Sequence, residues 1–193
     1  NITWFSAINR EDSNESEALQ IKRFIASRSI AMVMMGVPGI YLPSLFGSRN
    51  DADAVIEKGE TRSINRKTYR KESLFAKLDD LDGSAYKVSR GMRKIIQARI
   101  REKAFHPNAA QQVLHISEEV FALVRTSVDK KERILAITNI VDKVQELSIE
   151  AKQIGGQTET TCHDIFSDKV FVSTGGILSL SLEPYEVLWL KFS

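Results

Sequence analysis

Cysteine is nearly missing from this sequence, in which Cys162 is the single example among 193 residues. An internal disulfide framework is therefore excluded, and so low a cysteine content is typical of a reducing compartment. Long hydrophobic runs are missing too, since the longest, residues 30–37, is far shorter than the ~20 residues that span a bilayer. No basic segment followed by an apolar one indicates a signal peptide. We therefore expect a cytoplasmic protein without a membrane partner.

An excess of charge of one sign is also lacking, because 27 Lys and Arg residues face 25 Asp and Glu residues, for a net charge of +2. This balance gives no general case for binding nucleic acid or an anionic membrane. One local exception is a basic stretch over residues 62–71, in which Tyr69 is the only aromatic residue. No nucleic-acid-binding module surrounds that stretch, so nucleic acid is not an expected partner.

The first half of the chain is predicted to be helical with one strand. Apolar residues recur at helical spacing over residues 17–35, and Ser13 or Ser16 is placed to cap that helix. Gly36 and Pro38 end it, and the short apolar run GIYL (39–42) is typical of a buried strand. Residues 43–71 show no sustained period and predict a long loop, and a second helix is predicted over residues 84–103.

The pattern changes after residue 104, where short and often alternating apolar runs are separated by turn signals. A spacing near ten residues with such runs predicts an antiparallel sandwich or barrel. We therefore expect an α+β chain with two parts, residues 1–104 and residues 105–193. The runs are QQVLHIS (111–117), VFALVRT (120–126), RILAITNIV (133–141), QELSIEA (145–151), KVFVS (169–173), GILSLSL (176–182) and EVLWLKF (186–192).

Four segments resemble the C-terminal part of sucrose-phosphorylase-like enzymes, a branch of the α-amylase clan, and they occur in the family's order. They are NITWFSAI (1–8), GVPGIYLPSLFGSRND (36–51), TRSINRKTY (61–69) and LEPYEVLWLKF (182–192). The AFHP segment (104–107) is more similar to the glucosylglycerate phosphorylase side of the branch than to sucrose phosphorylase. The resemblance covers essentially the whole chain.

This resemblance implies a fold. Residues 1–104 would be the last helix–strand–helix of a (β/α)8 barrel, and residues 105–193 the all-β domain that follows it. A complete barrel typically needs ~250 residues, so the strands that flank GIYL would belong to a missing N-terminal barrel portion. We therefore expect the chain to be a fragment, with that portion as its partner. Whether it forms a homo-oligomer is left open.

The resemblance also implies a reaction. Enzymes of this branch are retaining: one carboxylate attacks the anomeric carbon, a second acts as acid and then base, and phosphate replaces water in the second displacement. The intact enzyme would use a sugar substrate and inorganic phosphate and would release glucose 1-phosphate. The catalytic carboxylates of the family fall outside this sequence. We therefore expect no catalytic residue, metal site or cofactor here, and no activity of the chain by itself.

A substrate-binding role is carried over to three residues of the TRSINR segment. Arg62 matches the family arginine that reaches the hydroxyls of the bound glucosyl unit, where a planar guanidinium can form two directed hydrogen bonds. Asn65 and Arg66 complete the motif, and we expect them to brace the loop. The segment departs from the family pattern at Thr61, where the family has Gly, and at Ser63, where it has Asp. We also hypothesise that the basic stretch attracts phosphate or an acidic acceptor.

Two other functional classes stay open. A hydrolase or transglycosylase of the same clan would differ only in the molecule that ends the cycle, and this sequence cannot separate it from a phosphorylase. A carbohydrate-binding or interaction module would present a planar row of aromatic rings. The aromatic residues of the second half lie in apolar runs and are expected in the core, which disfavours that class: Phe121, Phe171, Trp189 and Phe192.

Two further groups are interpreted as structural. The acidic residues of the loop are expected to be solvated rather than to form a carboxylate pair or a metal site: Asp51, Asp53, Glu57 and Glu60. Cys162 and His163 are adjacent, and adjacent residues of a strand point to opposite faces, so they do not form a nucleophile and base. The three histidines, His106, His115 and His163, lack metal-ligand spacing.

Overall fold

Eight β-strands follow five α-helices in the structure, a computed structural model that describes residues 1–193. The α-helices are α1 (Trp4–Ile8), α2 (Glu17–Val33), α3 (Ala52–Lys58), α4 (Lys71–Asp79) and α5 (Ser84–Arg101). The strands are β1 (Ala110–Ser117), β2 (Val120–Thr126), β3 (Arg133–Asn139), β4 (Gln145–Glu150), β5 (Thr161–Asp164), β6 (Val170–Val172), β7 (Ile177–Leu182) and β8 (Val187–Phe192). Short 3-10 helices lie at Leu42–Phe46, Thr61–Asn65, Lys103–Phe105 and Ala151–Ile154.

Backbone contacts divide the chain into two units. The helical unit comprises residues 1–25 and 39–93, and the β unit comprises residues 26–38 and 94–193. Helices α2 and α5 therefore each contribute one segment to either unit. The division predicted from the sequence is a different one, because it separates a barrel portion, residues 1–104, from a sandwich domain, residues 105–193, in a whole enzyme. That division stays a prediction.

The β unit is an antiparallel sandwich. Its larger sheet has six strands in the order β1-β2-β3-β8-β5-β6, and its smaller sheet pairs β4 with β7. Strict alternation in β7 places Leu178, Leu180 and Leu182 inward, as expected for a strand with one solvated face. These leucines pack with residues of the larger sheet, among them Leu135 and Leu190, in one core cluster. The predicted α+β class with an antiparallel sandwich is confirmed.

The central strands of the larger sheet are buried on both faces. Every residue of β3 from Ile134 to Asn139 is buried, because helical residues of the β unit cover the face that the smaller sheet does not. On that face Ser29 of α2 shares a hydrogen bond of 3.1 Å with Thr138, and the ring of Trp189 lies 4.6 Å from the ring of Phe105. This double burial explains the nearly continuous apolar runs of these strands.

Two buried arginines hold the carboxyl end of α2 within the β unit. Arg99 of α5 donates to the carbonyl oxygens of Met32 and, at 2.7 Å, of Gly36. Arg125 of β2 donates to the carbonyl oxygen of Val33 at 2.7 Å. The last carbonyl groups of a helix have no partner within the helix, so the two guanidinium groups satisfy acceptors that would otherwise be buried unpaired.

All the hydrogen bonds that these two guanidinium groups donate go to carbonyl oxygens, and none goes to a carboxylate. Burial, together with the nearby charge of Arg99, lowers the pKa of Arg125 from 12.5 to about 10. Burial also lowers the pKa of Arg99. A pKa of about 10 keeps Arg125 cationic at neutral pH, and carbonyl dipoles rather than an opposite charge stabilise it.

The helical unit has a small core of aromatic and aliphatic side chains. Phe5 and Phe24 are buried with their ring centroids 5.3 Å apart, and Val88 and Met92 of α5 are fully buried. Gly47 lies against this core with a φ of 66°, a left-handed conformation that glycine adopts without cost. A side chain at this position would lie 3.0 Å from Val88 and 3.2 Å from Phe5.

The structure differs from the prediction in the helical part. GIYL forms no strand within this chain, in which residues 37–41 have no regular secondary structure and pair with no strand. Its pairing with strands of a missing barrel portion stays a prediction. The predicted loop over residues 43–71 contains α3 and two 3-10 helices. Strand β5, Thr161–Asp164, is not among the predicted apolar runs, although Cys162 and His163 were interpreted as residues of a strand. None of the helices is long and apolar enough to cross a membrane.

Candidate functional site

The TRSINR segment forms a 3-10 helix, Thr61–Asn65, that we call the Arg62 turn. The turn closes with backbone hydrogen bonds from Ser63 to Glu60 at 3.0 Å and from Arg66 to Ser63 at 3.1 Å. Ser63 is buried, with 5% of its surface exposed. The family's aspartate at this position is thus replaced by a small, buried hydroxyl.

Asn65 anchors the Arg62 turn to distant parts of the helical unit. Its side-chain amide donates to the carbonyl oxygen of Ile2 at 3.4 Å, and its own carbonyl oxygen accepts from the hydroxyl of Tyr41 at 3.3 Å. Both contacts fit the expectation that Asn65 braces the loop. Tyr41 belongs to the apolar GIYL run, so the structure brings the two most specific family segments together.

Arg62 and Arg66 both have exposed side chains that make no hydrogen bond or ion pair within the chain. Arg62 is therefore free to donate to a ligand, as a substrate-contacting arginine must be. The backbone of Arg66 closes the turn, while its side chain makes no hydrogen bond or ion pair with the loop. Contact of any of the three residues with substrate stays a prediction.

The rest of the predicted loop is held by a small number of specific contacts. Asp51 accepts from the backbone of Ala54 at 3.4 Å and so caps α3, and it lies 3.6 Å from the ammonium of Lys67. Its backbone donates to the carbonyl oxygen of Ile64 at 2.8 Å, next to the Arg62 turn. Asp51 is therefore a structural residue, whereas the other acidic residues of the cluster are exposed, as predicted: Asp53, Glu57 and Glu60.

Aromatic and polar contacts fix the two ends of this segment. The hydroxyl groups of Ser48 and Tyr69 lie 2.6 Å apart, and the Tyr69 ring packs edge-on against Phe46 at 5.0 Å. Arg49 lies over the ring of Phe5 at 4.6 Å and donates to the side chain of Gln20 at 2.9 Å. The Arg62 turn thus rests on an ordered support.

Sequence reasoning missed Tyr41 and Arg49 as supports of the loop. Tyr41 looked like part of a buried strand, and nothing in the spacing of the chain marked its hydroxyl as the partner of Asn65. Arg99 carried a clearer signal, since it lies on the same face of α5 as Val88, Met92 and Ile95. A charged residue on an apolar helix face indicates a buried polar contact.

The other candidates have structural roles. Cys162 is fully buried in the sandwich core, and burial raises the pKa of its thiol to about 11. A protonated and inaccessible thiol is a poor nucleophile. No group of three or more His, Cys, Asp or Glu side chains is arranged to hold a metal ion.

Comparison with known proteins finds relatives along nearly the whole chain. A glucosylglycerate phosphorylase of Spirochaeta thermophila is 32% identical over 98% of this chain and 33% of its own length. A sucrose 6(F)-phosphate phosphorylase of Thermoanaerobacterium thermosaccharolyticum is 30% identical over 55% of this chain and 19% of its own. The resemblance to sucrose-phosphorylase-like enzymes is confirmed. No family model matches the chain.

Within the sucrose-phosphorylase-like enzymes, the extent of the matches favours the glucosylglycerate phosphorylase side, as the AFHP segment indicated. The chain spans about a third of the length of the glucosylglycerate phosphorylases that it matches. Its fold is also similar to that of a Geobacillus thermoleovorans α-amylase complexed with acarbose. The TM-score is 0.70 at 13% identity, over 94% of this chain and 35% of that one.

Proposed function

We propose that this chain is the C-terminal part of a retaining α-glucoside phosphorylase of the glucosylglycerate type, which releases glucose 1-phosphate. The observation that carries the proposal is the 32% identity to a glucosylglycerate phosphorylase over 98% of the chain. In this role the chain contributes no catalytic carboxylate. It contributes the Arg62 turn as one wall of the sugar pocket, and the sugar and inorganic phosphate are substrates of the intact enzyme.

The geometry of the Arg62 turn supports this role. Arg62 presents an unpaired guanidinium from a turn whose backbone is fixed by Ser63, Asn65 and Tyr41. A donor that is held before the ligand arrives loses less conformational entropy on binding, so it favours a defined sugar orientation. Two parallel N–H groups can then reach two neighbouring hydroxyls of the glucosyl unit.

The exposure of the segment between α2 and the Arg62 turn supports the proposal that the intact enzyme has a further barrel portion. Val37 is 83% exposed and Leu42 is 65% exposed, although both residues are apolar. Residues 37–41 are not paired with any strand of this chain. A barrel strand has neighbours on both sides, and such neighbours would cover these residues and pair with the backbone groups of residues 37–40.

The experiment that tests the proposed function uses the full-length product of the gene that encodes this chain. It is incubated with glucosylglycerate, with and without inorganic phosphate, and both glucose 1-phosphate and free glucose are quantified. We expect phosphate-dependent release of glucose 1-phosphate, and no release by residues 1–193 alone. Release of free glucose without phosphate would instead identify a hydrolase of the same clan.

A matched pair of variants tests the role of Arg62 in that enzyme. Arg62→Lys keeps the charge but loses the two directed hydrogen bonds, and we expect the KM for the glucosyl donor to rise about tenfold. Arg70→Lys is the control, because Arg70 is exposed in the same basic stretch but lies outside the TRSINR segment. Equal kinetics for the two variants would exclude Arg62 as a substrate contact.

A further inference from the structure

The β unit contains a cavity of about 360 Å3 between the last turns of α5 and the chain around β5 and β8. This volume lies within the roughly 300–1,000 Å3 that small-molecule sites occupy. Its polar and apolar walls are contributed by different elements. Gln97 and Arg101 come from α5, His163 from β5, and Ile165 and Phe166 from the loop after β5.

Several polar groups at the cavity are already engaged in contacts that fix its walls. The carboxylate of Asp164 is buried and accepts from the hydroxyl of Ser167 at 2.6 Å. The ammonium of Lys94 donates to the carbonyl oxygen of Phe166 at 2.8 Å, which ties α5 to the loop after β5. The ammonium of Lys191 lies 2.6 Å from the carboxylate of Glu102. These contacts form a preorganised frame.

Three further side chains at the cavity have no partner in the chain. Gln97, Arg101 and His163 are exposed, and none of them makes a side-chain hydrogen bond or ion pair. Gln97 and Arg101 are four residues apart on α5, so they share one face of the helix. The cavity therefore offers planar hydrogen-bonding groups from two sides, on a frame that is already ordered.

The charges around the cavity balance, which points to a neutral ligand. The cations are Lys94, Arg101 and Lys191, and the carboxylates are Glu102, Asp164 and, behind Lys191, Glu132. A multiply charged anion would gain little from such a balanced field. A hydroxyl group both donates and accepts, so it suits this mixture of donors and carboxylates.

We propose that this cavity binds a neutral sugar, with Arg101, Gln97 and His163 as its hydrogen-bonding groups. A pyranose carries hydroxyl groups at its edge and C–H groups on its faces. The hydroxyl groups match the three planar side chains, and the C–H groups match the apolar wall of Ala98, Ile165 and Phe166. This site lies within the β unit and does not depend on the activity proposed for the whole enzyme.

The experiment titrates methyl α-glucoside and maltose into residues 1–193 and follows tryptophan fluorescence and the NMR signals of the His163 ring. Trp189 is a suitable reporter, because its ring lies 4.8 Å from the ring of Phe166. All proteins carry Arg62→Ala, so that sugar binding at the Arg62 turn does not contribute. We expect saturable binding with a Kd of about 1–10 mM for at least one of the sugars.

Matched variants locate the site. Arg101→Ala should raise the Kd at least about fivefold, because it removes the side chain with the most free donors. Arg93→Ala, an exposed arginine of the same helix that does not line the cavity, should leave the Kd unchanged. The proposal is overturned if no sugar saturates the signals up to about 100 mM, or if both variants bind like the parent. It is also overturned if inorganic phosphate, and not sugar, gives the Arg101-dependent response.

Discussion

At the scale of single residues, the structure depends on charged groups placed where the sequence looks apolar. Arg125 lies in the run VFALVRT and is fully buried, yet it makes hydrogen bonds to the carbonyl oxygens of Val33, His106 and Ala109. Its charge lies close to that of Arg99, which helps to lower its pKa to about 10. Such a residue is costly to bury and more costly to remove, because its acceptors would then be left without donors.

Replacing Arg125 by Met therefore tests the two-arginine contact. Arg125→Met keeps much of the buried volume but removes the donors to four carbonyl oxygens, those of Val33, His106, Ala109 and Ala110. We expect the free energy of unfolding to fall by about 3 kcal/mol in urea titrations followed by circular dichroism. Arg93→Met, at an exposed position, should change it by less than about 0.5 kcal/mol. A loss below about 1 kcal/mol for Arg125→Met would mean that the carbonyls find other donors.

The three-residue ion cluster of the β unit gives a pH-dependent prediction. Lys191 lies 2.6 Å from Glu102 and 2.8 Å from Glu132. Burial by itself would raise the pKa of Glu132, but hydrogen bonds from Lys191 and from the backbone of Ala104 outweigh it and lower the pKa below the ordinary 4.5. A carboxyl group with a lowered pKa stabilises the fold above its unfolded pKa, and this contribution disappears as the pH falls through the folded pKa.

Glu132→Gln removes that charge while keeping an acceptor for Ala104. We expect the variant to be about 1 kcal/mol less stable than the parent at pH 7. The difference should shrink as the pH falls below 4.5, the ordinary carboxyl pKa, because the parent then loses the same charge. Urea titrations of both proteins at several pH values measure it. A difference that is constant with pH would assign the effect to packing rather than to charge.

At the scale of elements, the predictions from the sequence succeeded where the periodic spacing of apolar residues extended over enough residues to be recognised. Seven of the eight strands and the helices α2 and α5 follow from alternation or from helical spacing. The short helices of the predicted loop do not, because five or seven residues are too few to show a period. Strand β5 shows no apolar run because Cys162 is its only residue in the apolar core.

The candidate site was predicted only in part, because some of its contacts join residues that are far apart in the sequence. The family segments identified Arg62 and Asn65, but the hydroxyl of Tyr41 reaches Asn65 across 24 positions in the chain. A contact of that separation depends on the tertiary fold and has no signature in a single sequence. The same applies to Arg125 and Val33, which lie 92 positions apart.

Two helix ends of the predicted loop offer a comparison of packing at equal backbone geometry. Gly47 and Gly59 end consecutive helical segments with φ values of 66° and 65°. An added side chain at Gly47 would meet Val88 at 3.0 Å, whereas nothing lies within 4 Å at Gly59. The two positions therefore share backbone strain and differ in steric contact.

Replacing each glycine by alanine separates the cost of backbone strain from the cost of steric contact. Gly59→Ala should cost about 1 kcal/mol, from the left-handed conformation alone. Gly47→Ala should cost about 1–2 kcal/mol more, because the new methyl group displaces Val88 or Phe5. Thermal unfolding of the two variants beside the parent measures both losses. If the two variants are equally stable, the core around Phe5 accommodates the methyl group without strain.

At the scale of the whole molecule, the main feature is a stretch of exposed apolar residues along residues 35–42. The exposed residues are Met35, Val37, Tyr41 and Leu42, with exposed fractions of 60%, 83%, 58% and 65%. Large exposed apolar patches in soluble proteins mark surfaces that bind something. In the proposed enzyme the missing barrel portion would cover this stretch.

The chain alone should therefore self-associate. We expect sedimentation velocity to show concentration-dependent oligomers of residues 1–193, and the double variant Val37→Asp, Leu42→Asp to shift them toward monomer. Val128→Asp is the control, because Val128 is similarly exposed at 65% but lies in a turn of the β unit. A parent chain that stays monomeric at all concentrations would contradict the expectation.

The division of α2 and α5 between the two units has a consequence for synthesis. Residues 26–38 belong to the β unit, but the rest of that unit begins only at residue 94. At roughly 5–20 residues per second, the ribosome needs several seconds to make the intervening segment, residues 39–93. During that interval Met32 and Val33, which are buried in the folded chain, lack the strands of the β unit, so the segment around them is open to chaperones while the chain is being made.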